Sequence, residues 1–88
     1  MKPIRLSGHA KEQLIFRGTT EEEVVETIRT SLWQTAELGR LESRKNFTFE
    51  KEWNKKYYEV KQVRPIFVEE DTEIVVVTVY TYFFEKEG

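Results

Sequence analysis

One stretch limits this chain more than any other: "EIVVVTVYTYFF", Glu73 to Phe84. It is filled with β-branched and aromatic residues and holds no glycine or proline, so it reads as extended strand. Residues two apart on a strand share a face. One set is Val75, Val77, Val79, Thr81 and Phe83; the other is Ile74, Val76, Thr78, Tyr80, Tyr82 and Phe84. Both sets begin apolar, which places the strand inside a sheet with cover on both sides at its start. The odd set is the more aliphatic and is expected to meet the helices. The even set carries a hydroxyl ladder, Thr78–Tyr80–Tyr82. It is either an ordinary half-buried antiparallel face or the floor of a site.

Upstream, "LSGHAKEQLIFRGTTEEE" carries two sets of helix boundary signals. Ser7 is a good N-cap for a helix running to Arg17, and Gly18 suits the left-handed stop that ends one. Thr20 and Glu23 have the spacing of a capping box, and acids in a first turn suit the helix dipole. Val24, Val25, Ile28 and Leu32 then form an apolar stripe, so the second helix spans about 20–31. Leu14, Val25 and Ile28 are expected to be buried against Val75, Val77 and Val79.

After Trp33 the period changes. "LESRKNFTF", "YYEVKQV" and "PIFVE" read as strands, and the polar "EKEWNKK" as a loop or hairpin connection. Pro65 cannot donate to a ladder and belongs at an edge, a bulge or a break. Helices followed by strands suggest an α+β domain. The expectation is one domain over 1–88, with two N-terminal helices packed on a three- to four-stranded antiparallel sheet that ends in the strand 73–84.

Composition narrows the function classes. The chain has no cysteine, which excludes disulfides, thiolate metal sites and a cysteine nucleophile. No apolar run follows "MKPIRLSGHA" and none is long enough for a membrane span, so a cytoplasmic protein without a signal peptide is expected. Net charge is −2, yet Arg40 to Arg64 holds eight bases and four acids. That basic middle, Arg44 and Lys45 included, can present a positive surface to nucleic acid despite the negative total. It can equally be charge that solvates strands and loops.

Three motifs carry a resemblance. "GHAKEQLIFRG", "KQVRPIFV" and "TVYTYFF" occur in order, and the likeness they carry extends over nearly the whole chain. They resemble an uncharacterised family of short bacterial and archaeal proteins, a domain of unknown function grouped with the RelE/ParE-like toxins and the wider barnase–EndoU–colicin–RelE ribonuclease fold. The resemblance implies an RNA substrate lying across the sheet face away from the helices, and a partner antitoxin. It also implies site residues at the matching positions: His9, Arg17, Lys61, Arg64, Thr78 and Tyr80.

RNA cleavage by the 2′-hydroxyl needs a proton acceptor, a proton donor and cations for the phosphorane charge. Histidine is the residue type suited to the first two roles near neutral pH, and His9 is the only one. His9, Gln13 and Arg17 recur every four residues and so form one helix stripe. Arg17 can clamp a phosphate, or simply serve as a cation at a helix C-terminus. Lys61 and Arg64, three apart on a strand, point to opposite faces unless a bulge intervenes, so at most one joins a regular sheet site. A two-histidine mechanism is impossible, and one histidine with scattered carboxylates offers no metal-ligand spacing, so neither metal nor other cofactor is expected. Two further readings stand beside a toxin-like ribonuclease. One is a non-catalytic interaction module using Trp53, Tyr57 and Tyr58. The other is a homodimer pairing its terminal strand "YTYFF".

Overall fold

A computed structural model describes residues 2–85. The order is β1 (Ile4–Leu6), α1 (Gly8–Arg17), α2 (Glu21–Thr30), β2 (Gln34–Thr35), β3 (Leu41–Glu42), β4 (Lys45–Trp53), β5 (Lys56–Glu69) and β6 (Ile74–Phe84), with a tight turn over Glu37–Gly39 between β2 and β3.

Helix α1 begins and ends, and α2 begins, where their caps dictate. Ala10 N–H donates to the Ser7 hydroxyl at 3.1 Å. Gly18 adopts φ 69°, and a Cβ there would lie 2.9 Å from the Trp53 ring, so glycine serves both the left-handed turn and the close approach. Thr20 and Glu23 close a reciprocal capping box at the start of α2.

The sheet departs from expectation. It is mixed and six-stranded, in the order β1-β6-β5-β3-β2, with β4 also paired to β5. The three- to four-stranded antiparallel sheet is therefore incorrect. β1 runs parallel to β6, pairing Ile4 with Ile74 and Leu6 with Val76. A three-residue strand directly before a capped helix is too short to show a period, which is why it escapes a reading of the sequence. "YYEVKQV" and "PIFVE" are one strand, and "EKEWNKK" is the tip of the β4–β5 hairpin, turning at Asn54 and Lys55 with φ 52° and 70°.

Pro65 lies buried in the middle of β5. It is tolerated because β5 changes partners there: β4 pairs with it up to Val63, and β3 from Ile66. On the other side Pro65 faces Val79, whose N–H points outward to Gln13. That pair is thus non-hydrogen-bonded, and the proline nitrogen points into the gap between β3 and β4, where no ladder bond is lost.

Helices α1 and α2 cover one sheet face. Leu6, Ala10, Val24, Ile28, Val63, Phe67, Ile74, Val76 and Val79 form the core beneath them. The expected faces need correction. A register shift places Ile66 opposite Thr78 and Phe67 opposite Val76, so Val77 is the extra residue of a bulge. Before it Ile74 and Val76 face the helices; after it Val79 does, while Val75 and Val77 are only half-buried. On α2 it is Val24, not Val25, that is fully buried with Ile28, and Leu14 packs only at the margin.

Candidate functional site

The opposite sheet face carries no helix. Beyond the bulge it displays Thr78, Tyr80 and Tyr82 from β6, beside Arg64 and Ile66 from β5. The β2–β3 turn overhangs these residues, and a cleft of about 510 Å³ opens between turn and sheet. Its lining includes Leu38, Arg40, Glu42, Arg64, Thr78 and Tyr80. The size lies in the usual range for a ligand pocket.

Arg64 is the most extensively hydrogen-bonded cation of this face. Its Nε donates to Glu42 Oε2 at 2.6 Å, its Nη2 to Glu42 Oε1 at 3.2 Å and its Nη1 to the Tyr82 hydroxyl at 3.3 Å. The hydrogen bonds from Arg64 hold the Glu42 carboxyl below its ordinary value against the opposing effect of burial. The same pair raises the Arg64 guanidinium further. Arg44 adds a second contact to Glu42 at 3.3 Å.

Tyr80 lies between two guanidinium groups. Arg64 approaches from the β5 side, 5.5 Å from the ring centroid, and Arg17 reaches it from the end of α1 at 5.3 Å. Arg17 can do so because β1 pairs with β6 only as far as Val76, leaving the rest of that edge to α1. Gln13 and the Arg17 carbonyl fasten the edge. Gln13 Oε1 accepts from the Thr78 hydroxyl at 2.7 Å and from Val79 N–H at 2.8 Å, and the Arg17 carbonyl accepts from the Thr81 hydroxyl at 2.5 Å. Arg17 and Arg40 have no carboxylate partner among the described residues. The lining itself balances Arg40 and Arg64 against Glu37 and Glu42; Arg17 and Arg44 at its margins tip the region positive.

Arg17, Arg64, Thr78 and Tyr80 are thus brought together, with Arg44 at the margin. Lys61, Lys45 and His9 are not. Lys61 is buried on the helix side, where its Nζ donates to Glu23 Oε1 at 2.6 Å and to the Gly18 carbonyl at 2.9 Å. Lys45 is held to α2 through Glu26 at 3.1 Å and Thr30 at 2.8 Å. His9 is exposed in the first turn of α1, makes no side-chain hydrogen bond among the described residues and does not line the cleft. Trp53 and Tyr58 are also spoken for: they pack on Phe83 at centroid distances of 5.3 and 5.6 Å, leaving Tyr57 as the exposed aromatic of the hairpin.

No protein-family model matches the chain, and neither a curated protein nor a solved structure matches it. The site must therefore be read from its own geometry. Among the described residues no cluster of three or more His, Asp or Glu is placed to hold a metal ion, and no helix is long and apolar enough to cross a membrane. Glu42, Arg40 and Leu38 are the members that sequence reasoning passed over. Glu42 and Arg44 sit two apart in "LESR", a same-face spacing that could have flagged the pair.

Proposed function

We propose that this protein binds single-stranded RNA on the open face of its sheet, and that it does so without cleaving it. It would then be a non-cleaving counterpart of the toxin-type ribonucleases whose motifs it resembles. The observation that carries this reading is the Tyr80 ring, flanked by Arg17 and Arg64, on the floor of a cleft of nucleotide scale. Aromatic rings and guanidinium planes accept unstacked bases, and unpartnered arginines accept the phosphates between them. A duplex keeps its bases stacked and offers the cleft only its phosphates.

Cleavage finds less support. It needs a proton acceptor beside the 2′-hydroxyl, and the only histidine lies outside the cleft. Lys61, one of the expected catalytic cations, is consumed by Glu23 on the covered face. Glu42 lies in the cleft, but its lowered pKa makes it a poor base near neutrality.

Fluorescence anisotropy with labelled single-stranded RNA, the same strand in a duplex, and a salt series tests this. Single strands should bind, with log K falling against log salt by about 0.7 per phosphate contacted. Arg17→Gln and Arg40→Gln should each weaken binding by roughly tenfold, the usual size of one charge-assisted contact. Equal affinity for duplex and single strand, or no binding at low salt, would overturn the reading.

A further inference from the structure

Leu38 is an anomaly. It sits at the tip of the β2–β3 turn with φ 60° and ψ 34°, followed by Gly39 at φ 71°. Left-handed backbone suits glycine or asparagine and is costly for a branched side chain. Nothing in the fold compensates, since Leu38 is 85% exposed. The turn itself does not require leucine: it is closed by backbone bonds alone, Ala36 N–H to the Arg40 carbonyl at 2.8 Å and Arg40 N–H to the Glu37 carbonyl at 3.1 Å. An apolar side chain is thus held out in water, at backbone cost, on the lip of the cleft that Tyr80 and Arg64 floor. Strain of this kind at a ligand-sized opening points to a contact made with something outside the chain.

We propose that Leu38 is a specificity-determining contact for the nucleobase. An unpaired base entering the cleft packs against the Leu38 methyl groups from the turn and against Arg64 and Tyr80 from the sheet. The clamp selects strands whose bases are free, because a paired base cannot leave its stack without losing its partner. The proposal rests on the RNA-binding reading above and adds to it: the phosphates supply affinity, and Leu38 makes that affinity depend on a base being present. The turn is a hairpin connection closed by its own backbone hydrogen bonds, which hold Leu38 at the lip of the cleft.

The test pairs Leu38→Asn and Leu38→Ala with two RNA probes, an intact single strand and the same strand with abasic sites. Leu38→Asn suits the left-handed backbone, so its melting temperature should equal or exceed that of the wild type. Its affinity for the intact strand should nevertheless fall, by roughly fivefold or more if one base contact is lost. Leu38→Ala should show a similar fall in affinity. On the abasic strand, wild type and both variants should bind equally weakly. If wild type binds intact and abasic strands alike, or if the variants bind the intact strand as wild type does, the clamp is refuted while RNA binding stands. If wild type binds neither probe, the RNA-binding reading fails and takes the clamp with it.

Discussion

Lys61 and Arg64 lie three residues apart on one strand, and each is paired with a glutamate, yet the two faces of the sheet give them opposite roles. Lys61 turns toward the helices. Its side chain is 7% exposed, and Glu23, the Gly18 carbonyl and the Phe49 ring at 5.3 Å surround its ammonium. Glu23 meanwhile accepts from Thr19 and Thr20, so the pair ties the end of α1, the start of α2 and β5 together. Arg64 turns toward the open face, where Glu42 orients it without enclosing it and the guanidinium stays against Tyr80 at the cleft. The same kind of ion pair is a fastening on one face and a positioning device on the other. Which of the two it is depends on what lies above the sheet.

The largest effect should therefore come from the covered pair. Lys61→Ala leaves Glu23, a quarter exposed, without its cation and should cost about 3 kcal/mol, the low end of the range for breaking a buried pair. In a domain this small that is a fall of well over 10 °C in melting temperature at roughly 4–8 °C per kcal/mol. The double variant Lys61→Met with Glu23→Gln should recover much of the loss, because no lone charge remains. RNA affinity of the single variant, measured where it is still folded, should match wild type. A small stability loss together with a large affinity loss would reverse the roles assigned to the two faces.

The helix ends were legible because caps act locally. Ser7, Gly18, Thr20 and Glu23 perform the roles their types suggest. The sheet was legible only in part. Strand character showed plainly in the apolar and β-branched runs, but partners did not, since β1 and β3 are too short to carry a period. Face assignment failed at Val77, where one extra residue reverses the alternation for everything before it. That bulge left the Thr78–Tyr80–Tyr82 ladder intact, so the polar floor of the site could be read from the sequence. Arg17 beside Tyr80 could not, because that contact depends on how early β1 leaves the edge of β6.

The open pair should give a smaller effect, with a sign that separates its two functions. The Glu42 carboxyl has a folded pKa below its unfolded value, which is near 4.3 for glutamate. Its contribution to stability is therefore present above that value and is lost as pH falls through the folded one. Wild type should lose stability below about pH 5, and Glu42→Gln should flatten that part of the profile. At pH 7 the substitution should cost about 1–3 kcal/mol, no more than Lys61→Ala, since Arg64 keeps the Tyr82 hydroxyl and access to water. RNA affinity should rise, because an unneutralised Arg64 attracts phosphate more strongly. A drop in affinity would show that orientation of Arg64 matters more than its free charge.

The smallest effect is expected at His9, and its smallness is informative. The residue is exposed, makes no side-chain hydrogen bond among the described residues, and sits in the first turn of α1, where a positive charge opposes the helix dipole. Its i+4 neighbour Gln13 is committed to Thr78 and Val79, and Arg17 beyond it lies on Tyr80, so the stripe runs from solvent to the cleft margin with His9 at the solvent end. Alanine is the better helix former, so His9→Ala should change stability by no more than about 0.5 kcal/mol, toward stabilisation if at all. Single-stranded RNA binding should be unchanged, and RNA incubated with either protein should remain whole. The decisive comparison is wild type against His9→Ala on the same RNA, at a temperature where both are folded. Cleavage by wild type that vanishes in the variant would place the chemistry at the start of α1 and make the Tyr80 cleft a binding surface beside it. Intact RNA in both lanes, with equal affinity, would leave His9 an ordinary surface residue of a capped helix.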